Sequence, residues 1–144
     1  MTQKTKMEVS EEWFRRVWLE EDTSAIDEIL LPETNASGLG SHPHIGPDEF
    51  RYFHAGLLGL MEQVTVTSDL HIEQGDWLAQ LVTVKGVCRK TSREVSMLGQ
   101  MMLKIIDGHI VEGHNHFNFI SLYEQLGLLP DQTFEDCLAG KVLA

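Results

Sequence analysis

At Val64 the hydrophobic period of the chain changes from helical to extended, and that change does most to limit the folds open to it. Upstream, Val9, Trp13, Phe14, Val17 and Trp18 recur at three- and four-residue spacing behind the capping-box pattern Thr5-x-x-Glu8, which predicts an amphipathic helix to about Glu20. Asp22, Thr23 and Ser24 offer caps for a short second helix carrying Ile26, Ile29 and Leu30, which Pro32 should end. The stretch ETNASGLGSHPHIG is rich in Gly, Ser and Pro and predicts a short strand or loop over one end of the fold. Gly46-Pro47-Asp48-Glu49 then opens a third helix, with proline where a missing N–H costs nothing and carboxylates where the helix dipole favours them. Its apolar stripe is Phe50, Phe53, Leu57, Leu58 and Met61, and His54, one turn after Phe50, faces inward with it.

Downstream of the change, Val64, Val66, Leu70 and Ile72 fall on one face of an extended segment, and Thr65, Thr67, Asp69, His71 and Glu73 on the other. Turns at Gly75-Asp76, Thr91 to Glu94 and Asp107-Gly108 divide the rest into three more strands, giving an antiparallel meander of four. Two of these strands are apolar on both faces, so each should be covered by helices on one side and by a second copy of the chain on the other. Ser121 to Leu129 predicts a short closing helix before an acidic tail. The expected architecture is therefore α+β: one domain over residues 1–144, with a core over about 8–130 and a peripheral tail over 131–144. A curved antiparallel sheet packed around helices would form a cone-shaped barrel, leaving a ligand-sized pocket between helix and sheet.

With 144 residues and 42% hydrophobic content the chain can bury one sizeable core. Asp and Glu number 22 against 11 Lys and Arg, a net charge of -11 with no basic cluster, which argues against nucleic acid and anionic membrane as partners. No stretch nears the roughly 20 apolar residues of a membrane span, and the opening MTQKTKMEVSEEW has no apolar leader core, so a cytoplasmic location is expected. Cys88 and Cys137 lack CxxC spacing and are expected to be reduced thiols without chemistry.

Three local patterns carry a resemblance: EDTSAIDEILLPE in the second helix, HIGPDEFRYF opening the third, and DGHIVEGHNHFNFISLYEQLGLLP from the last hairpin into the closing helix. In this order the chain resembles the SnoaL-like family of polyketide cyclases, a branch of the nuclear transport factor 2-like superfamily. Family members typically show DGKIVEEWDxWDxLGLLxQLG in the third pattern. Asp107, Gly108, Ile110, Val111, Glu112, Leu122, Gln125, Leu126 and Gly127 match it in register, and the likeness runs from about Trp13 to Pro130. The resemblance implies the cone-shaped barrel, a homodimer, and a deep pocket for a hydrophobic small molecule. It also implies an intramolecular aldol condensation with an aspartate as acid and base, and neither metal nor organic cofactor. A carboxylate desolvated in such a pocket has a raised pKa and can take a proton from carbon beside a carbonyl. Here, however, Asn115 and Asn118 stand where the family carries aspartate, and His114 and Phe117 where it carries tryptophan. An amide cannot accept a proton at neutral pH.

The seven histidines offer a replacement, four of them paired as His42-Pro-His44 and His114-Asn-His116. In a strand His114, His116 and Asn118 share one face, with Asn115 on the other, so at most one of the two asparagines can sit in the pocket. If the histidine face lines the cone, His114 or His116 could act as general base. Otherwise these imidazoles make structural hydrogen bonds or touch a neighbouring subunit. Paired imidazoles can also present nitrogens to a metal, but no third ligand is fixed by spacing, and no metal is expected. His42 falls where SnoaL-like relatives often have a histidine near the pocket mouth. His54 reads either as a satisfied core histidine or as a cavity residue beside Phe53. Trp13 and Trp18 read as core aromatics or as walls for a ring-shaped ligand. Gln100, the one uncharged polar side chain in MLGQMMLKII, could orient a ligand carbonyl or bond across the sheet.

The leading expectation is an enzyme that acts by acid/base chemistry on a hydrophobic, carbonyl-bearing, polyketide-like substrate. Its catalytic residues would be His114, His116 and His42, with Asn115, Asn118, His54, Trp13, Trp18, Gln100 and Phe53 in the pocket. The alternative is a non-catalytic hydrophobic-ligand-binding protein of the same fold.

Overall fold

A computed structural model describes residues 3–144. The chain opens with helix α1 (Lys6–Trp13), which continues without a break into a π-helical turn over Phe14–Leu19. Thr5 and Glu8 close the capping box reciprocally, the Thr5 N–H donating to Glu8 Oε1 at 2.9 Å and the Glu8 N–H to Thr5 Oγ1 at 3.1 Å. Helix α2 (Ser24–Ile29) leads into strand β1 (Leu30–Ser37), and the long helix α3 (Pro47–Leu60) follows. Strands β2 (Met61–Gln74), β3 (Trp77–Cys88), β4 (Glu94–Ile106) and β5 (His109–Phe117) come next, then helices α4 (Phe119–Gln125) and α5 (Thr133–Leu138).

The sheet order is β1-β5-β4-β3-β2. Strands β2 to β5 form the expected antiparallel meander, and β1 adds to β5 in parallel, so the sheet is mixed. The second helix is shorter than its sequence predicts, because Leu30 already begins β1 and Pro32 lies inside that strand. Proline is tolerated there because β1 is the edge strand of the sheet, bridged on its far side to Ile45 at Ala36 and not at Pro32.

A second departure lies in β2. The expectation that Leu70 and Ile72 share the inner face with Val64 and Val66 fails, since both are well exposed. The register against β3 shifts between Ser68 and Leu70, and that bulge rotates the following residues to the outer face, where Leu70 pairs with Leu81 and Ile72 with Ala79.

One face of the sheet packs on the helices in two joined clusters. Val9, Trp13, Phe14, Val17, Ile26 and Phe50 meet Leu78, Val82, Met101, Leu103 and Ile110. Leu57, Leu58, Met61 and Val64 meet Val84, Met97, Leu122 and Leu126. The buried polar pair between α1 and β3 is satisfied, Ser10 Oγ donating to Gln80 Oε1 at 2.8 Å. The other face carries exposed Leu70, Ile72, Leu81, Leu98 and Met102. Helix α5 in the tail is mostly exposed, anchored by buried Thr133. Among the described residues no helix is long and apolar enough to cross a membrane.

Candidate functional site

The inner face of the sheet and the two main helices enclose an apolar cavity of two adjoining chambers, each of about 50 Å³. Trp13, Leu39, Phe50, Met101 and Asn115 belong to the walls of both. The first chamber reaches between α3 and β4 to Trp18, Phe53, Leu57, Val84, Met97, Phe117 and Phe119. The second runs beneath β1 and the following loop to Thr34, Ala36, Ile45, Ile110 and Gly113. Trp18 sets its ring edge-on to Phe50 and Phe53, at centroid separations of 6.1 and 6.2 Å. Phe117 owes its position to Gly99 directly opposite, since a Cβ there would lie 2.1 Å from the ring.

No residue on these walls carries an acid, an imidazole, an amine or a guanidinium. In the first chamber the polar side chain is Asn115, buried on β5 opposite Met101. Its Nδ2 donates to the carbonyl of Ser37 at 3.0 Å, which fixes the plane of the amide. Among the described residues nothing donates to Oδ1, which is left to accept from a guest. The turn after β1 makes this contact close. Gly38 has φ +83, and a Cβ on it would fall 1.6 Å from the Asn115 carbonyl oxygen.

The histidines named from the sequence are not brought together here. His114 and His116 point to the outer face of β5, opposite Met102 and Gln100 of β4, because strand parity puts Asn115 alone of the three inside. His116 and Gln100 are exposed, so the expectations that His116 supplies a base to the cavity and that Gln100 orients a ligand in it do not fit their positions. His114 is engaged elsewhere: its Nδ1 faces Ser37 Oγ at 2.7 Å, its Nε2 faces Glu112 Oε2 at 2.9 Å, and Trp77 stacks on its ring. Asn118 leaves the cavity for a capping role, accepting from the Ser121 N–H at 3.2 Å to start α4.

His54 is 2% exposed, but its Nε2 donates to the Val17 carbonyl at 2.7 Å, tying α3 to the π-helical turn. The ring is a satisfied core group, absent from the cavity walls. Trp13, Trp18 and Phe53 lie on the walls of the first chamber. His42 is exposed in the loop whose ends, Leu39 and Ile45, line the second chamber. Among the described residues no three His, Cys, Asp or Glu side chains are placed to hold a metal. Both cysteines are free, Cys88 buried and Cys137 exposed.

Sequence reasoning missed Leu39 and Ile45 as walls, and Ser37 as the partner of both Asn115 and His114. Glu112 was findable, since it precedes His114 by two residues in one strand and so shares its face. Larger concavities lie on the surface: a groove of about 830 Å³ between α2 and α3, crossed by Arg51 and Arg89, and a cleft of about 510 Å³ beside α4 and α5. Both are open and charged, and neither encloses an apolar guest.

The model of the SnoaL-like domain matches residues 10–113. Among solved structures, TsrD from Streptomyces laurentii superposes with a TM-score of 0.69 at 20% identity, over 85% of this chain and 95% of that one. Wild-type IdmH from Streptomyces antibioticus, provisionally assigned as a polyketide cyclase, gives 0.73 at 18% identity over 86% and 99%. A Catenulispora acidiphila protein with a ketosteroid isomerase-like fold, bound to trimethylamine, gives 0.73 at 17% identity over 90% and 99%. At such identities the likeness is one of fold. No curated protein sequence matches the chain.

Proposed function

The chain belongs to the SnoaL-like domain family, and from that premise we propose that its cavity binds a small, ring-bearing apolar molecule through one hydrogen bond to Asn115. The observation that carries the proposal is the wall of the first chamber, which combines aromatic and aliphatic side chains with a single fixed amide and no titratable group. Such a wall rewards apolar area and one polar match. It offers no site at which to store a proton. With Nδ2 engaged by Ser37, the atom presented to a guest is the Oδ1 acceptor, so the favoured guest carries a hydroxyl, as a phenol or enol does. At about 50 Å³ each, the chambers must widen to admit a ring, and the unbranched Met97 and Met101 in their walls can swing aside at small cost.

The test compares a hydroxylated polycyclic aromatic with its deoxy counterpart by calorimetry and thermal shift, since a guest of the folded state raises the unfolding midpoint. The hydroxyl should be worth roughly 0.5–1.5 kcal/mol to the wild type. In Asn115→Leu that difference should vanish. Equal binding of both compounds to the wild type would sink the proposal.

Catalysis on a carbonyl-bearing, polyketide-like substrate is the second reading. It rests on the place of His42, in the loop whose ends line the second chamber. Under that reading His42→Ala lowers turnover by roughly 100-fold, and an unchanged rate removes His42 from the mechanism. Asn115→Asp probes the same reading from the other side: burial would raise the new carboxyl's pKa and restore an acid/base to the cavity, with a gain of aldol activity as the readout. We further propose that the outer face of β2 to β4 pairs with a second copy. Leu70, Ile72, Leu81 and Leu98 make an exposed apolar patch, beside which the Asp69 carboxylate is held by the Thr83 hydroxyl.

A further inference from the structure

We propose that Ser37, His114 and Glu112 form a second, catalytic site, on the opposite face of β5 from Asn115, that hydrolyses small aryl esters. The parallel pairing of β1 with β5 sets Ser37 beside His114, and strand parity sets Glu112 on the same face as His114. The donors and acceptors of the chain are then fixed in direction. A carboxylate only accepts, so the proton of the neutral imidazole sits on Nε2, facing Glu112 Oε2 at 2.9 Å. Nδ1 is therefore the acceptor, and the Ser37 hydroxyl donates to it across 2.7 Å. A hydroxyl donating to an imidazole whose far nitrogen is held by a carboxylate is the arrangement that activates a serine nucleophile.

The surroundings support turnover. Trp77 stacks on the His114 ring at 6.0 Å and 29° and holds its plane, while Glu112 and His114 stay about one-third exposed and open to substrate. The Ser37 carbonyl is pinned by Asn115 Nδ2, which fixes the backbone that carries the nucleophile. Among the described residues the N–H groups of Leu39 and Gly40, in the turn that follows, donate to no protein group.

In the reaction, Ser37 Oγ adds to the acyl carbon as its proton passes to His114 Nδ1. The bond from acyl carbon to aryl oxygen breaks, and the leaving phenolate takes that proton. Water, deprotonated by the same nitrogen, then hydrolyses the acyl-serine to a carboxylic acid and free Ser37. The site opens on the other face of β5 from the cavity and its tests leave Asn115 unchanged, so the ligand-binding proposal and this one stand or fall separately.

The test treats the full chain with a fluorophosphonate probe and maps the adduct by mass spectrometry, beside hydrolysis of p-nitrophenyl acetate. A single phosphonyl adduct on Ser37 is expected. His114→Gln should lower both labelling and hydrolysis by roughly 100-fold, and Glu112→Gln by roughly tenfold, with unfolding midpoints recorded to show that each variant is folded. Absence of an adduct on wild-type Ser37, or labelling of His114→Gln at the wild-type rate, overturns the proposal.

Discussion

Asn115 is held from behind and open in front. The carbonyl of Ser37 grips its amide, and the turn at Gly38 lets β1 come close enough to do so. A side chain on Gly38 would collide with the Asn115 main chain and would sit in a backbone region L-residues disfavour. Gly38→Ala should therefore cost more than about 3 kcal/mol of stability, read by denaturant titration, and should loosen the amide, so hydroxyl selectivity should fall in whatever folded fraction survives. How much of this was readable in advance depends on the residue. Strand parity already separated Asn115 from Asn118 and joined His114 to His116, but it could not say which face would be inside. That choice is made by long-range packing against α3. The role of Ser37 was invisible for the same reason, since its partners lie 77 and 78 residues away.

Elements joined by local rules were legible, and those set by tertiary register were not. The capping box, the proline start of α3 and the three strand turns all stand where their residues place them. The bulge in β2 is different, because an alternating pattern carries no mark of the residue at which pairing slips. The opening elements are also bound by charge. Arg16 reaches Asp22 at 2.9 Å and Glu28 at 2.5 Å, and Arg51 pairs with Asp27. Asp22 is held below the usual carboxylate range first by Ser24 and then by Arg16, Glu28 by Arg16, and Asp27 by Arg51. A lowered carboxyl pKa in the folded state contributes stability above its ordinary value, and that stability disappears as pH falls through the lowered one. The unfolding midpoint should thus drop below about pH 4, and Arg16→Met should flatten the drop while leaving low-pH stability unchanged. At the other end of the fold Leu122 is fully buried and seats α4 on β4, so Leu122→Ala should cost about 2–5 kcal/mol in the same titration.

At the scale of the whole molecule, the same sheet serves a chambered apolar interior and an apolar exterior. If β2 to β4 meet a second copy, Leu81→Glu or Leu98→Lys places like charges face to face, and sedimentation should show half the mass of the wild type with the fold intact. A wild type already sedimenting at the mass of one chain would end that proposal. The cavity walls run from Trp13 to Phe119, so nearly the whole chain closes around any guest, and binding should slow hydrogen exchange in helices and strands alike. The π-helical turn over Phe14–Leu19 bears on how such a cavity could change over time. Its wider winding holds one residue more than an α-helical turn would. Deleting a single residue between Trp13 and Trp18 would restore α-helical winding and leave Trp18 on nearly the same side of the helix, four residues after Trp13 instead of five. One lost codon could thus shorten the opening helix by a residue while leaving the chamber wall and the sheet as they are.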